Sequence, residues 1–405
     1  MLVYVINKHG EPLMPCKPRK ARLLLKQGKA KVVKRTPFTI QLLYGSSGYK
    51  QPVNLGVDAG SKHIGISATT EKKVLFEAEV ELKNDIVELL ADRRQYRRSR
   101  RYRKTRYRKA RFSNRKKPDG WLAPSVQHKI DSHIKIIGKI HKMLPITQIT
   151  IEVAQFDIQK IKNPDIQGVE YQQGEQLGFW NVREYVLWRD GYRCQGRKGC
   201  TNKVLNVHHI ESRKTGGDAP NNLITLCEQC HRDYHAGKLK LNLKRGPSYR
   251  DAAFMSIMRW AVYNRLKELY QNVKLTYGYI TKHTRIKAGL EKSHMVDARC
   301  ISGNPLAEPL DSYYYFKFVR GQNRQLHKAN PKKGVRQANK APRYVYGFQL
   351  FDKVEFQGQE CFIFGRRSSG YFDLRKLDGT RIHPSANHKK LRLLERASTL
   401  LCERR

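Results

Sequence analysis

Four cysteines in the middle of the chain have the spacing of a structural metal site. Cys194 and Cys200 are separated by five residues, and Cys227 and Cys230 form a Cys-x-x-Cys pair. Two close pairs can close a tetrahedral thiolate site for Zn²⁺. Disulfides or plain buried thiols are the alternatives, but the other four of the eight cysteines are scattered singly along the chain. The spacing therefore favours structural zinc.

Two histidines lie between the cysteine pairs, and two more follow the second pair. His208 and His209 belong to a short apolar-flanked run, residues 206–210, that predicts a strand, and a Gly-Gly turn follows it. His231 and His235 are four residues apart, which places both imidazoles on one face of a helix. A ββα hairpin would aim these histidines at each other. Two or three neutral imidazoles could then hold one divalent cation while a neighbouring His takes a proton from water. The alternative is a structural zinc finger whose extra histidines are incidental.

Acidic side chains on apolar strands form a second group. Asp58 ends one predicted strand and Glu152 lies on another, whereas His294 and Asp297 are three residues apart and so share a helix face. A carboxylate buried in a sheet is costly unless a cation or strong donors compensate it. A single acid at a strand end is more often part of a turn or an ion pair. Each residue taken alone is therefore weak evidence for a functional site, and the prediction depends on the order in which these residues occur.

The chain is strongly basic. Its 405 residues contain 80 Lys and Arg against 35 Asp and Glu, a formal net charge of +45. This length predicts two to four domains. The electrostatic field of a protein with this positive charge attracts polyanions, so nucleic acid is the expected partner. An acidic membrane surface is the alternative, but no apolar run approaches the roughly 18 residues of a spanning helix, and we expect no membrane partner.

The positive charge peaks in residues 92–117. Fifteen of these 26 residues are Lys or Arg, and Arg outnumbers Lys by eleven to four. Neither Pro nor Gly interrupts the run, so a helix is permitted, and guanidinium groups suit phosphate contact and base stacking. A localisation signal or nonspecific tail is the alternative, which the mid-chain position disfavours. The predicted nucleic-acid-binding residues are Arg93, Arg94, Arg97, Arg98, Arg100, Arg101, Arg103, Arg106, Arg108 and Arg111.

The histidines, together with Asn222 between them, resemble the HNH (ββα-metal) nuclease family. The family pattern is a pair ending in His, a central Asn, and a metal-binding His or Asn on the helix, and all three parts are present at compatible spacing. The resemblance implies that His209 is the general base and that Asn222 braces the hairpin loop. It also implies that His208 and His231 bind the metal, with His235 as a further candidate ligand.

Asp58, Glu152, and the pair His294 and Asp297 resemble, in this order, the three motifs of the RuvC nuclease in the RNase H-like superfamily. In that family the corresponding acids hold two Mg²⁺ ions for phosphodiester hydrolysis. The residue after the first acid is often Pro in the family and is Ala59 here. This departure affects the stiffness of the turn more than metal binding.

The order of the motifs is itself informative. An arginine-rich helix follows the first RuvC motif and the HNH segment is inserted between the second and third, which resembles the much longer two-nuclease RNA-guided CRISPR effectors. Pro-Leu-Met-Pro at residues 12–15, ahead of this order, is similar to the compact transposon-associated IscB nucleases. The IscB resemblance extends through essentially the whole chain. It implies an ωRNA guide, a double-stranded DNA target, two Mg²⁺ in RuvC and one in HNH.

The predicted fold is α/β and multidomain. An RNase H-like (RuvC) mixed sheet carries an inserted ββα-metal HNH domain, an arginine-rich bridge helix and a small C-terminal β-barrel-like domain, the last predicted from polar and apolar alternation with Gly turns. An apolar pattern of helical spacing at 253–271 is interpreted as core rather than as part of a site. The predicted domains are 1–52 (N-terminal PLMP domain), 53–90 (RuvC part I), 91–117 (bridge helix), 118–178 (RuvC part II and linker), 179–245 (HNH with the zinc site), 246–319 (RuvC part III), 320–343 (basic linker) and 344–405 (domain that reads a target-adjacent motif).

The resemblance predicts an RNA-guided DNA endonuclease in which HNH cuts the guide-paired strand and RuvC cuts the displaced strand. We expect a monomeric protein within a cytoplasmic ribonucleoprotein. Two alternatives stay open. One is a protein-specified homing or junction-resolving nuclease without guide RNA, and the other is a catalytically decayed RNA-binding component. The metal-binding residue types are intact, which disfavours the second.

Overall fold

The computed structural model describes residues 2–46, 48–101, 120–153, 176, 178–212, 217–246, 250–319, 327–329, 336–338 and 341–405. The chain divides into two compact units, and the second interrupts the first in sequence. The first comprises Met1–Ala154 with Met255–Arg405, and the second is Gln155–Phe254. Among the described residues, no helix has both the length and the apolar character needed to cross a membrane.

The secondary structure alternates between strands and helices along the described chain. The strands are β1 (Val3–Ile6), β2 (Pro12–Cys16), β3 (Ala30–Lys34), β4 (Thr39–Leu42), β5 (Asn54–Ala59), β6 (His63–Thr69), β7 (Val74–Glu81), β8 (Gln148–Val153), β9 (Leu205–His209), β10 (Leu223–Cys227), β11 (Val273–Tyr277), β12 (Tyr314–Phe318), β13 (His327–Ala329), β14 (Arg336–Ala338), β15 (Lys353–Phe356), β16 (Gln359–Arg366), β17 (Tyr371–Arg375), β18 (Arg381–Asn387), β19 (Arg392–Glu395) and β20 (Leu400–Arg404). The α-helices are α1 (Pro18–Lys26), α2 (Ile86–Arg101), α3 (Pro124–His141), α4 (Val182–Arg189), α5 (Glu228–His235), α6 (Arg250–Leu269), α7 (Gly278–Lys287) and α8 (His294–Ile301).

A seven-stranded mixed sheet forms the centre of the first unit. Its strand order is β11-β8-β5-β6-β7-β12-β20. β5, β6 and β7 are antiparallel neighbours, whereas β8 and β11 run parallel to β5 on its other side. Leu55, Val57, Ile64 and Ile66 on β5 and β6 are fully buried, and the strand register places all four on one face of the sheet.

Two glycines let helix α8 lie directly on this sheet. A Cβ added at Gly56 would lie 1.9 Å from the carbonyl oxygen of Ala298, and one added at Gly65 would lie 1.8 Å from that of His294. No side chain fits at either position, so the helix backbone approaches the strands closely. Asp58 follows Gly56 by two residues and pairs in register with Gly65, so it shares their face of the sheet. The glycines thereby bring the first turn of α8 to Asp58.

Two smaller sheets flank the central one in sequence. β1 to β4 form a four-stranded sheet of order β2-β1-β4-β3, and β15 to β19 form an antiparallel sheet of order β18-β17-β16-β15-β19. The last strand, β20, pairs instead with β12 of the central sheet. The predicted C-terminal segment 344–405 therefore supplies strands to two sheets, and closure of the smaller one into a barrel stays a prediction. Within the predicted basic linker, β13 and β14 form a two-stranded sheet.

The predicted bridge helix is described in its first part. Helix α2 begins at Ile86, five residues before the predicted boundary at 91, and is described to Arg101. Its last turns carry exposed arginines at Arg93, Arg94, Arg97 and Arg98. Outside the described residues lie Arg103, Arg106, Arg108 and Arg111, together with the side chains of Arg100 and Arg101.

Candidate metal sites

The second unit brings the four predicted cysteines together. The Sγ atoms of Cys194, Cys200, Cys227 and Cys230 all lie within 4.8 Å of one another. Three of these thiols are buried, and they pack in one cluster with Leu226. A four-sulfur set of this size suits a tetrahedral Zn²⁺ site.

Backbone N–H groups point at the sulfur atoms. The N–H of Cys227 donates to Cys194 Sγ at 3.1 Å, and the N–H of Gly196 donates to the same sulfur at 3.3 Å. Burial opposes ionisation of Cys194, but these donors outweigh it and lower the pKa of the thiol. A Cβ added at Gly196 would lie 3.1 Å from Cys230 Sγ, which is a tight contact, so a side chain there would crowd the cluster. Donors aimed at sulfur are the surroundings that stabilise a metal-bound thiolate, so the residues fit zinc.

The cysteine cluster also fixes the helix that carries two of the histidines. Helix α5 begins immediately after Cys227, whose Sγ accepts the N–H of Cys230 and so caps the helix. His231 and His235 lie one turn apart on α5. Because the cap belongs to the thiol cluster, filling that cluster with metal would also hold both imidazoles in place.

Three histidines converge as the spacing predicts. The ring nitrogens of His208, His231 and His235 lie within 4.8 Å of one another, and the ring of His208 is centred 5.1 Å from each of the other two. Burial, followed by the charges of the neighbouring imidazoles, lowers the pKa of His208 to about 4. Burial also lowers the pKa of His231. Neutral imidazoles are the form that binds a divalent cation, so this set can hold one.

His209 and Asn222 lie beside the histidine cluster. His209 Nε2 is 2.8 Å from Asp218 Oδ1. Asn222 is fully buried; its Oδ1 accepts from the N–H of Glu211 at 2.8 Å, and its Nδ2 donates to the carbonyl oxygens of Glu211 and Gly217 at 3.0 and 2.9 Å. Asn222 thus joins the two ends of the hairpin loop. The geometry agrees with the expected bracing role, and the catalytic roles stay predictions.

The acids of the second predicted site meet at the centre of the large sheet. Asp58 and Glu152 follow paired residues on the adjacent parallel strands β5 and β8, and both are 8% exposed. His294 Nδ1 is 2.7 Å from Asp58 Oδ2, and this hydrogen bond raises the pKa of His294. Burial raises the pKa of Glu152 and that of Asp297, and the charge of Asp58 adds to both shifts. The sheet and α8 therefore gather all four predicted residues.

An arginine absent from the sequence prediction lies between two of these acids. Arg259 Nη1 is 2.9 Å from Glu152 Oε1 and its Nη2 is 3.8 Å from Asp58 Oδ1. Its Nε donates to the carbonyl oxygen of Ala59 at 2.7 Å. The sequence prediction for residues 253–271 concerned the apolar pattern and made no statement about Arg259. Met258, next to Arg259, is core as predicted.

A second arginine pairs with the remaining acid. Arg285 Nε on α7 lies 2.9 Å from Asp297 Oδ1. The same helix begins at Gly278, where a Cβ would lie 3.3 Å from Glu152 Oε1. Two guanidinium groups thus balance the carboxylates. Oxygen donors of this kind are the ligands that Mg²⁺ prefers, so the acids fit that ion, although the arginines compete for the same oxygens.

The second unit thus combines a ββα arrangement, converging imidazoles and a four-cysteine cluster, which together can bind metal ions. Residues 193–237 match the family described as HNH endonuclease. Residues 3–174 match the family described as RRXRR protein, and residues 97–101 read Arg-Arg-Ser-Arg-Arg. One segment of the chain thus matches the RRXRR family and another matches the HNH endonuclease family, and both matches agree with the resemblance predicted from the motifs.

Known proteins resemble parts of the chain. Anaredoxin of Nostoc sp. is 42% identical over 45 residues, which are 11% of this chain and 59% of that protein. Streptococcus thermophilus Cas9, in complex with the AGAA PAM, is 15% identical with a TM-score of 0.36 over 52% of this chain and 30% of that one. The type II-C Cas9 of Actinomyces naeslundii is 11% identical with a TM-score of 0.26, over 64% and 60% of the two chains. The chain thus spans less than two thirds of each.

Proposed function

We propose that this protein is an RNA-guided DNA endonuclease of the IscB kind, with HNH cutting the guide-paired strand and RuvC cutting the displaced strand. The observation that carries the proposal is the presence of two separate candidate metal sites in one chain, the imidazole set in the second unit and the carboxylate set in the first. The RRXRR match over the residues that include the arginine-rich helix supports the same conclusion. The basic composition supplies the charge that a nucleic-acid complex needs.

In the HNH site, His208, His231 and His235 would hold one divalent cation, which would supply charge stabilisation at the scissile phosphate. Three imidazole nitrogens suit a transition-metal ion better than the Mg²⁺ that the resemblance implies. His209 takes a proton from the attacking water as general base. Asp218, 2.8 Å from His209 Nε2, fixes the orientation and tautomer of that imidazole. The four-cysteine cluster would hold Zn²⁺ with a structural role only.

In the first unit, the order β11-β8-β5-β6-β7 supports an RNase H-like assignment. It places three antiparallel strands beside two parallel ones. Asp58, Glu152 and Asp297 would hold two Mg²⁺, which together supply charge neutralisation for in-line displacement. His294 holds a proton on Nδ1 toward Asp58 and orients that carboxylate. Arg259 keeps the acids compensated whenever the site lacks metal.

The proposed partners are an ωRNA guide and a double-stranded DNA target. Exposed arginines on α2 suit the RNA phosphates, and base pairing rather than protein contacts would choose the target sequence. The antiparallel sheet β15 to β19 is proposed to read the target-adjacent motif. The ribonucleoprotein would act in the cytoplasm.

The test begins with the nucleic acid that copurifies with the protein. Sequencing should find one long defined RNA, and the complex should cut a matching DNA with a randomised flank in Mg²⁺ but not in EDTA. Heterogeneous RNA or none, together with sequence-specific cutting, would instead indicate a protein-specified nuclease. A defined RNA without any cutting would indicate a decayed component. A double variant, Asp58→Ala with His209→Ala, provides the control that no contaminating nuclease cuts the library.

A further inference from the structure

Three lysines converge on a small cavity in the first unit, away from the carboxylate site. The cavity has a volume of about 70 Å³, and Lys34, Lys139 and Lys353 all line it. Lys34 ends β3, Lys139 lies in the last turns of α3, and Lys353 begins β15. One water needs roughly 10–15 Å³ on the same measure, so the cavity has room for about five small atoms.

One of these lysines already has a partner. Lys353 is 2% exposed, and its Nζ lies 2.6 Å from Glu360 Oε2 and donates to Thr36 Oγ1 at 2.9 Å. Another lining cation, Arg396, pairs in the same way with Asp352 at 3.1 Å. These two cations are therefore compensated by carboxylates outside the cavity.

The positive charges of Lys34 and Lys139 are less well balanced by carboxylates. Burial, followed by the adjacent ammonium group of Lys139, lowers the pKa of Lys34 to about 7. Glu395 is the carboxylate that faces this pair, and its Oε1 is buried without a hydrogen-bond partner among the described residues. Burial raises the pKa of the Cys402 thiol to about 12, so this lining group adds no negative charge. The cavity wall is left with two lysines, Lys34 and Lys139, against one carboxylate, Glu395.

Both lysines are half-buried, and placing two ammonium groups side by side there is costly unless an anion compensates them. Lys139 Nζ lies beside Lys34 and is 5.2 Å from the centroid of the Phe316 ring. The N–H donors of Lys34 and Lys139, with the Thr36 hydroxyl and the Ser398 side chain also on the wall, are groups that bind phosphate oxygens. We propose that this cavity is a binding site for one phosphate group, either inorganic phosphate or a backbone phosphate of bound RNA.

Isothermal titration of the RNA-free full chain with inorganic phosphate, at constant ionic strength in chloride, tests the site. The wild type should bind phosphate, and Lys34→Met and Lys139→Met should each weaken binding at least about tenfold because a charged donor is lost. Lys31→Met, on the exposed side of the same strand β3, should leave binding unchanged. Glu395→Gln should tighten binding, because it removes the cavity's own negative charge.

The two sources of phosphate are separated by repeating the titration on the ribonucleoprotein. If an RNA phosphate fills the cavity, the complex takes up no inorganic phosphate, and Lys34→Met weakens RNA binding more than Lys31→Met does. If the free ion is the ligand, the complex still binds phosphate and RNA affinity is equal in both variants. Absence of phosphate binding to the RNA-free chain, or binding that neither Lys34→Met nor Glu395→Gln alters, would overturn the proposal. The Glu395→Gln result decides the matter even if a lysine variant fails to fold.

Discussion

Replacing Arg259 by Met should destabilise the metal-free protein and increase its response to Mg²⁺. The guanidinium is 8% exposed, lies 2.9 Å from Glu152 Oε1 and also faces Asp58. Removing one partner of a buried ion pair costs about 3–5 kcal/mol, because the other charge stays buried without compensation. At about 2–4 °C per kcal/mol for a unit of this size, the melting temperature should fall by on the order of 10 °C in EDTA.

Saturating Mg²⁺ should restore part of this loss. The ion supplies the positive charge that Arg259 supplied, and in the wild type it must compete with Arg259 for the same oxygens. By linkage, the Mg²⁺-induced rise in melting temperature should therefore be larger in Arg259→Met than in the wild type. Calorimetric melting curves in EDTA and in Mg²⁺, for both proteins, give the four values needed.

Arg265→Met is the matched control. Arg265 lies on the same helix and pairs with Asp131 at 2.8 Å, but both side chains are about half exposed. Exposed pairs contribute about 0–1 kcal/mol, so this variant should melt close to the wild type under both conditions. The reasoning is refuted if Arg259→Met loses no more stability in EDTA than Arg265→Met, or if Mg²⁺ raises the melting temperature of variant and wild type equally.

Three further predictions concern the supports of the sites. Gly65→Ala should cost about 3 kcal/mol or more in unfolding free energy, because its Cβ would lie 1.8 Å from a backbone oxygen of α8, whereas Gly45→Ala, with nothing within 4 Å, should be tolerated. Gly196→Ala should reduce the bound zinc measured by mass spectrometry, because its Cβ would crowd Cys230; zinc content equal to that of the wild type would show that this crowding does not disturb the site. Burial lowers the pKa of His133 to about 4, so the unfolded state takes up a proton at this residue before the folded state does. The folded protein is therefore fully stable in this respect above pH 6.5 and loses about 3 kcal/mol of unfolding free energy as the pH falls to 4. His133→Asn should flatten this part of the stability profile in denaturant titrations, and a slope equal to that of the wild type would count against it.

The sequence predicted the imidazole site well because its geometry is local. His231 and His235 are four positions apart, which places them on one helix face, and the pairing of β9 with β10 follows from the intervening turn. The cysteine cluster could also be predicted from the sequence, because the two cysteines of each pair are close in sequence. The close contact between Gly196 and Cys230 could not be predicted, because it arises only when two segments that are distant in sequence approach each other.

The carboxylate site was predicted only from the order of its motifs. The partners of its acids were missed, since Arg259 is one of many Lys and Arg residues in this chain and its spacing from Glu152 carries no periodic signal. The apolar pattern around it indicated a buried helix correctly. What decides that one polar residue on that helix meets Glu152 is the packing of α6 against the sheet, which a pattern of helical spacing does not specify.

Strand-resolved cleavage tests the central claim most directly. The ribonucleoprotein is given a target duplex with a different label on each strand, in Mg²⁺, as wild type, His209→Ala and Asp58→Ala. We predict that the wild type cuts both strands, that His209→Ala cuts only the displaced strand, and that Asp58→Ala cuts only the guide-paired strand. If either single variant loses both cuts while its complex with RNA and DNA still forms, the assignment of two independent nuclease sites is wrong.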